Sequence, residues 1–212
     1  MNKITKLAGA MILAVSLNTG HAAISITGGA ANSYNFALST GAVLPDGGVF
    51  QIGVYSTALS STYFQGLTTA SQFQSNWTLL ASSVDNTFGY AGLRSATADL
   101  ATGVNTYAGK TLTMLVGNAS TIASSTELGV FSNTAWVIPA NPTGDVPEAF
   151  GVDIQEVGTI AYFGSLTLGA GAYAVDGVVN SANLALIPEP SSASLLALGM
   201  AGLVALRARR KS

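Results

Sequence analysis

The chain has 212 residues, 49% hydrophobic and only 8% charged, with a formal charge of −2, one histidine and no cysteine. That length holds one domain. The composition excludes a disulfide-stapled scaffold, cysteine or paired-histidine metal sites and a thiol nucleophile, and so few basic residues exclude a nucleic-acid binder.

Residues 1–22 have the pattern of a secretory signal peptide. Lys3 and Lys6 form a positive start, Leu7 to Leu17 an apolar run, and Asn18-Thr19-Gly20 a helix break. Gly20-His21-Ala22 then places small residues where a signal peptidase reads, which puts the cut between Ala22 and Ala23. The run is too short for a stable membrane anchor. The only histidine, His21, leaves with this segment. The mature chain therefore has neither imidazole nor thiol, which excludes Ser-His-Asp triads, Cys-His dyads and histidine pH switches.

Residues 23–186 read as a mainly β exported domain of β-sandwich or jelly-roll type. Apolar and polar residues alternate over 24–27, 33–39, 50–55 and 111–116, the pattern of strands with one dry and one wet face. Turn signals separate them, the clearest being Pro45-Asp46-Gly47-Gly48 and Asn141-Pro142-Thr143-Gly144. One helix is expected over Thr69–Ser82, where Phe73, Trp77 and Leu80 fall at helical spacing. Residues 23–187 hold nine acidic residues against Arg94 and Lys110 alone, a formal charge of −7 that the whole-chain value hides. Such a surface disfavours nucleic acid and anionic lipid and keeps a charge-poor chain soluble.

Little catalytic chemistry is legible in this stretch. Asp145/Glu148 and Asp153/Glu156 are carboxylate pairs of the kind a glycan hydrolase uses, but their spacing recurs in any acidic chain. Lys110 lacks the S-x-x-K spacing of a Ser-Lys dyad. Arg94 is expected to pair with Asp85 or Asp99. No enzyme activity, metal or cofactor is expected. Aromatic rings that stack on sugars are the more specific option, with Trp136 and Tyr55 as the leading candidates and Trp77, Tyr63 and Tyr107 behind them. The alternative reading of Trp136 and Trp77 is core packing.

Residues 187–212 form a second linear signal. Pro188-Glu189-Pro190 holds the backbone extended and removes two N–H donors, which keeps it open to a protease. A candidate membrane helix follows over 191–206, whose apolar run Ala193–Leu206, broken only by Ser194, gives roughly 21 Å of helix against about 30 Å of hydrocarbon. It stops at Arg207, Arg209, Arg210 and Lys211, half of the chain's eight basic residues, which stay cytoplasmic. Precursor orientation follows: both ends inside, residues 23–187 outside the inner membrane.

Pro-Glu-Pro, an apolar helix and an Arg-rich end at the extreme C-terminus resemble the PEP-CTERM sorting signal of Gram-negative bacteria. That resemblance covers about 25 of the 212 residues, with an apolar run at the short end of the family pattern. It implies recognition by an exosortase, a cut near Pro188–Pro190, and release or transfer to the cell surface or extracellular matrix. It also implies a link with exopolysaccharide and biofilm, in a structural or adhesive role. The alternatives are a carbohydrate-binding module of the matrix and a carboxylate-dependent glycan hydrolase.

Overall fold

Alternating segments do become strands. The computed structural model describes residues 24–29, 35–85, 92–100, 106–140, 148–168 and 180–188. The signal peptide with Ala22 and Ala23, the Glu189-Pro190 pair, the 191–206 segment, and Arg207, Arg209, Arg210 and Lys211 lie outside these residues. The chain is mainly β. The strands are β1 (Ile24–Gly29), β2 (Asn35–Ala37), β3 (Phe50–Tyr55), β4 (Trp77–Ser83), β5 (Ser95–Leu100), β6 (Thr111–Gly117), β7 (Glu127–Val137), β8 (Glu148–Asp153), β9 (Ile160–Phe163), β10 (Ser165–Leu168), β11 (Asn180–Asn183) and β12 (Ala185–Leu186). A short helix α1 (Ser61–Gln65) and 3₁₀ turns at Ala70–Gln74 and Ile122–Ser124 complete the described elements.

The largest sheet runs β12-β7-β6-β3-β4. Along the other edge of β7, β12 pairs with Glu127–Leu128 and β9 with Val130–Ser132. Two smaller sheets, β5-β1-β8 and β10-β11-β2, supply the facing layer. Two ladders, β1–β8 and β2–β11, are parallel, which departs from the all-antiparallel order of a jelly roll. Between the layers lies one core, with Phe50, Ile52, Met114, Val116, Phe131 and Trp136 from the large sheet. Ile26, Phe36, Ala98, Val152 and Ala182 come from the others, and Leu184 from the link between β11 and β12.

A second apolar cluster sits on the opposite face of the large sheet. Tyr55, Leu115, Leu128 and Val130 pack there against Phe64 of α1, Phe73 and Ile122 of the 3₁₀ turns, and Phe163. The expectation of one wet face therefore fails for the centre of this sheet: β3 is buried along its whole length and β6 from Leu112 onward. The physical reason is the three short helical turns, which cover the face that period two assigned to water. β5 on the outer sheet keeps the expected alternation.

The helix expected over Thr69–Ser82 is also corrected. Its start is sound: the backbone N–H groups of Thr68 and Thr69 donate to Gln72 Oε1 at 2.7 and 3.0 Å, a glutamine reaching back as in a capping box. The turn ends at Gln74, and Trp77 begins β4 opposite Tyr55. The Trp77 ring closes over Gly53, where an added Cβ would come within 2.7 Å of the indole and collide with Thr78 O. Cross-strand pairing has overridden an accidental helical spacing.

Strand β9 passes from the large sheet into β10 of the small one at Gly164, which has φ +95°. A Cβ there would collide with the Asn183 carbonyl oxygen. Gly164→Ala combines a disfavoured dihedral with a backbone clash, so we expect a stability loss of about 2 kcal/mol or more, read by urea denaturation.

Candidate functional site

The C-terminal signal begins where the sheet stops. After β11 the chain crosses at buried Leu184, whose N–H donates to Ala37 O at 2.7 Å. It then adds β12 to the free edge of β7, with Ala185 opposite Leu128 and Leu186 opposite Glu127. Ile187 N–H donates to Thr126 O at 3.0 Å. Pro188, exposed and unable to donate, follows directly. The ladder is thus tied as far as Ile187, and the proline that opens Pro188-Glu189-Pro190 is the first residue that cannot extend it. Glu127 reinforces this edge: its carboxylate accepts from Ser39 N–H at 2.6 Å. Glu189 and Pro190 lie outside the described residues. Among those that are described, no helix is long and apolar enough to cross a membrane.

The two leading sugar-contact candidates are both in the interior. Trp136 is 1% exposed in the inter-sheet core. Tyr55 is 7% exposed, with its ring 4.8 Å from Trp77 and 5.1 Å from Phe64. Its hydroxyl donates to Phe73 O at 2.7 Å. Burial, with the nearby Tyr63, pushes that hydroxyl far above the ordinary tyrosine range, so it stays neutral. Both rings are packed into the two cores, and stacking on a sugar needs an exposed face. Tyr63 is tied to Asn76, whose Nδ2 donates to its hydroxyl at 3.3 Å. Trp77 and Tyr107 pack against the two cores.

The carboxylates form turns. Glu156 Oε1 accepts from Asp153 N–H at 2.9 Å, and Asp153 Oδ1 accepts from Gln155 N–H at 3.0 Å. These are local turn-closing bonds after β8, not two carboxyls facing across a cleft. Asp145 and the Glu148 side chain lie outside what is described.

Arg94 meets expectation only in the charge of Asp85; its hydrogen bonds go elsewhere. It is fully buried and binds backbone: Nη2 donates to Pro45 O at 2.7 Å, Nε to Gly48 O at 3.1 Å and Nη1 to Leu93 O at 3.3 Å. Burial lowers its pKa, while the negative charges of Asp46 and Asp85 favour its charged form. The sequence offered Asp85 or Asp99 as partners. The residues it clamps belong to the turn Pro45–Gly48, closed by Gly48 N–H to Pro45 O at 3.1 Å. No sequence pattern reports a donor aimed at main-chain carbonyls.

Residues 186–211 match the family described as the PEP-CTERM protein-sorting motif. No curated protein and no solved structure matches the chain. The chain thus carries a PEP-CTERM sorting motif, which implies export, membrane-anchored sorting and processing by an exosortase.

Proposed function

We propose that this is an exported, non-enzymatic protein whose β domain is a structural or adhesive component of the cell surface or extracellular matrix. Residues 1–22 act as its signal peptide and residues 187–212 as a disposable sorting handle. The observation that carries the reading is the match over residues 186–211, joined to an edge ladder that is tied as far as Ile187 among the described residues. A cut near Pro188–Pro190 removes the handle and leaves every described strand in place. The acidic, charge-poor exterior suits a matrix protein that must stay soluble before it is deposited.

The test compares three forms of the chain in the bacterium. Glu189→Ala, or deletion of Arg207–Ser212, is expected to leave unprocessed precursor in the membrane. The unaltered chain loses its C-terminus, and intact mass of the exported form reports both cuts at once. If both variants are processed and located like the parent, the tail is not a sorting signal.

A further inference from the structure

We propose that a cavity at one end of the large sheet binds a sugar acid, with Lys110 pairing the ligand's carboxylate. The cavity is about 380 Å³ and lies where β3 ends, β6 begins and β9 crosses β7; Ser56, Thr57, Lys110, Thr111, Thr134 and Tyr162 line it. The assignment does not depend on the fate of the C-terminal segment.

Two features of the backbone open this space. Thr111 faces Val137 on β7, yet Thr113 faces Ser132, so β7 carries extra residues between those positions. Asn133 shapes the extra loop: its Oδ1 accepts from Ala135 N–H at 3.0 Å, and its Nδ2 donates to Val157 O at 3.1 Å. Thr134 is thereby carried out to an exposed position on the cavity wall. On the facing side the main chain of Lys110 is fixed at both polar atoms. Its N–H donates to Tyr107 O and its carbonyl accepts from Ile138 N–H, each at 2.9 Å. The pinned backbone roots an exposed lysine at the cavity wall, and its flexible four-carbon stem lets the ammonium reach a bound ligand.

Charge argues for the ligand class. Residues 23–187 contain two basic residues. Arg94 is fully buried and spends its donors on carbonyls, so Lys110 is the cation this acidic stretch can offer to a partner. It sits at a cavity with no acidic residue in its lining, although nine acidic side chains are distributed over the same stretch. One positive charge suits one carboxylate. A surface of −7 repels polyanions such as nucleotides. The remaining polar wall is hydroxyl, which donates and accepts at once and so matches a polyol rather than a fatty acid. Tyr162, half-buried against Phe64 with ring centroids 6.3 Å apart, supplies an aromatic wall of fixed position. The volume falls within the range of small-ligand sites.

The experiment is an amide-resolved NMR titration of the full chain in detergent micelles, with galacturonate as the singly charged acidic probe and galactose as the neutral one. Galacturonate is expected to shift the amides of Gly109, Lys110, Thr111 and Thr134. Its affinity should fall about three- to tenfold in Lys110→Met, and by a similar factor at high salt in the unaltered chain. Galactose should bind more weakly at the same amides. The salt series needs no variant and tests the charge independently of any folding defect. Absence of shifts at those amides, equal binding of both probes, or affinity indifferent to both Lys110 and salt overturns the assignment.

Discussion

Replacing Trp136 by alanine should cost about 3–5 kcal/mol, the range for emptying a large aromatic site in a packed core. Trp136 is among the largest of the fully buried side chains and lies between the sheets with Phe131, Ile138 and Val152. It comes from the part of β7 that rejoins the ladder after the extra residues, so its loss also loosens the return of that strand. For a domain of this length the midpoint of thermal unfolding should drop by roughly 10 °C. Trp136→Phe separates volume from polarity. Nε1 of Trp136 is buried without a hydrogen-bond partner, so phenylalanine gives up some packing but removes an unpaired donor. We expect a loss of about 1 kcal/mol or less for that variant. Urea denaturation of both variants beside the parent measures the contrast. Equal losses would mean that the indole N–H has a partner after all.

Arg94→Met should be nearly as damaging, at about 3 kcal/mol. The methionine fills part of the volume but leaves the buried Gly48 carbonyl without its donor and the Pro45 carbonyl with the Gly48 N–H alone. A buried acceptor left unpaired costs about 1–3 kcal/mol. The damage should be local at first, because these carbonyls bracket the turn that delivers the chain into β3. Hydrogen exchange should therefore quicken at the Gly48 amide, which donates back to Pro45 O, before it quickens in β6. Arg94→Lys should fall between the two, since a single ammonium cannot reproduce the planar fork that reaches several carbonyls at once. If Arg94→Lys matches the parent, the fork geometry is not what holds the turn.

Strands whose signal is local were legible in the sequence. Ile24–Thr27, Phe50–Tyr55 and Leu112–Val116 stand where period two puts them, and the Pro45–Gly48 turn closes with its own hydrogen bond. What period two could not convey is the second covering of the large sheet. Phe64, Phe73 and Ile122 come from segments too short to show any periodicity, so nothing in β3 or β6 announces that Gln51 and Thr113 are buried. β7 escaped for two reasons: both its faces are dry over much of its length, and the extra residues around Asn133 break its phase. Phe73, Trp77 and Leu80 misled because a 3₁₀ turn and a strand placed end to end happened to imitate a helix.

The sites divide along the same line. The C-terminal signal is a linear string meant to be read in order, so its residues and their spacing are visible without a fold. Lys110 just before β6, Thr134 on β7 and Tyr162 on β9 form no motif. Only the pairing of β7 with β6 and β9 brings them around one space. Trp136 and Tyr55 drew attention as aromatic rings, a property that serves a core as well as a ligand, and burial distinguishes the two uses.

The two parallel ladders bear on timing. Ile24 must wait for Glu148, and Asn35 for Ser181, before their strands find these neighbours. A polypeptide threaded outward from its N-terminus thus cannot finish either small sheet until nearly all of the domain has emerged. High contact order of this kind slows maturation to the millisecond-to-second range typical of β-rich topologies. Such a late-closing chain would stay open long enough for the export that its sorting motif implies.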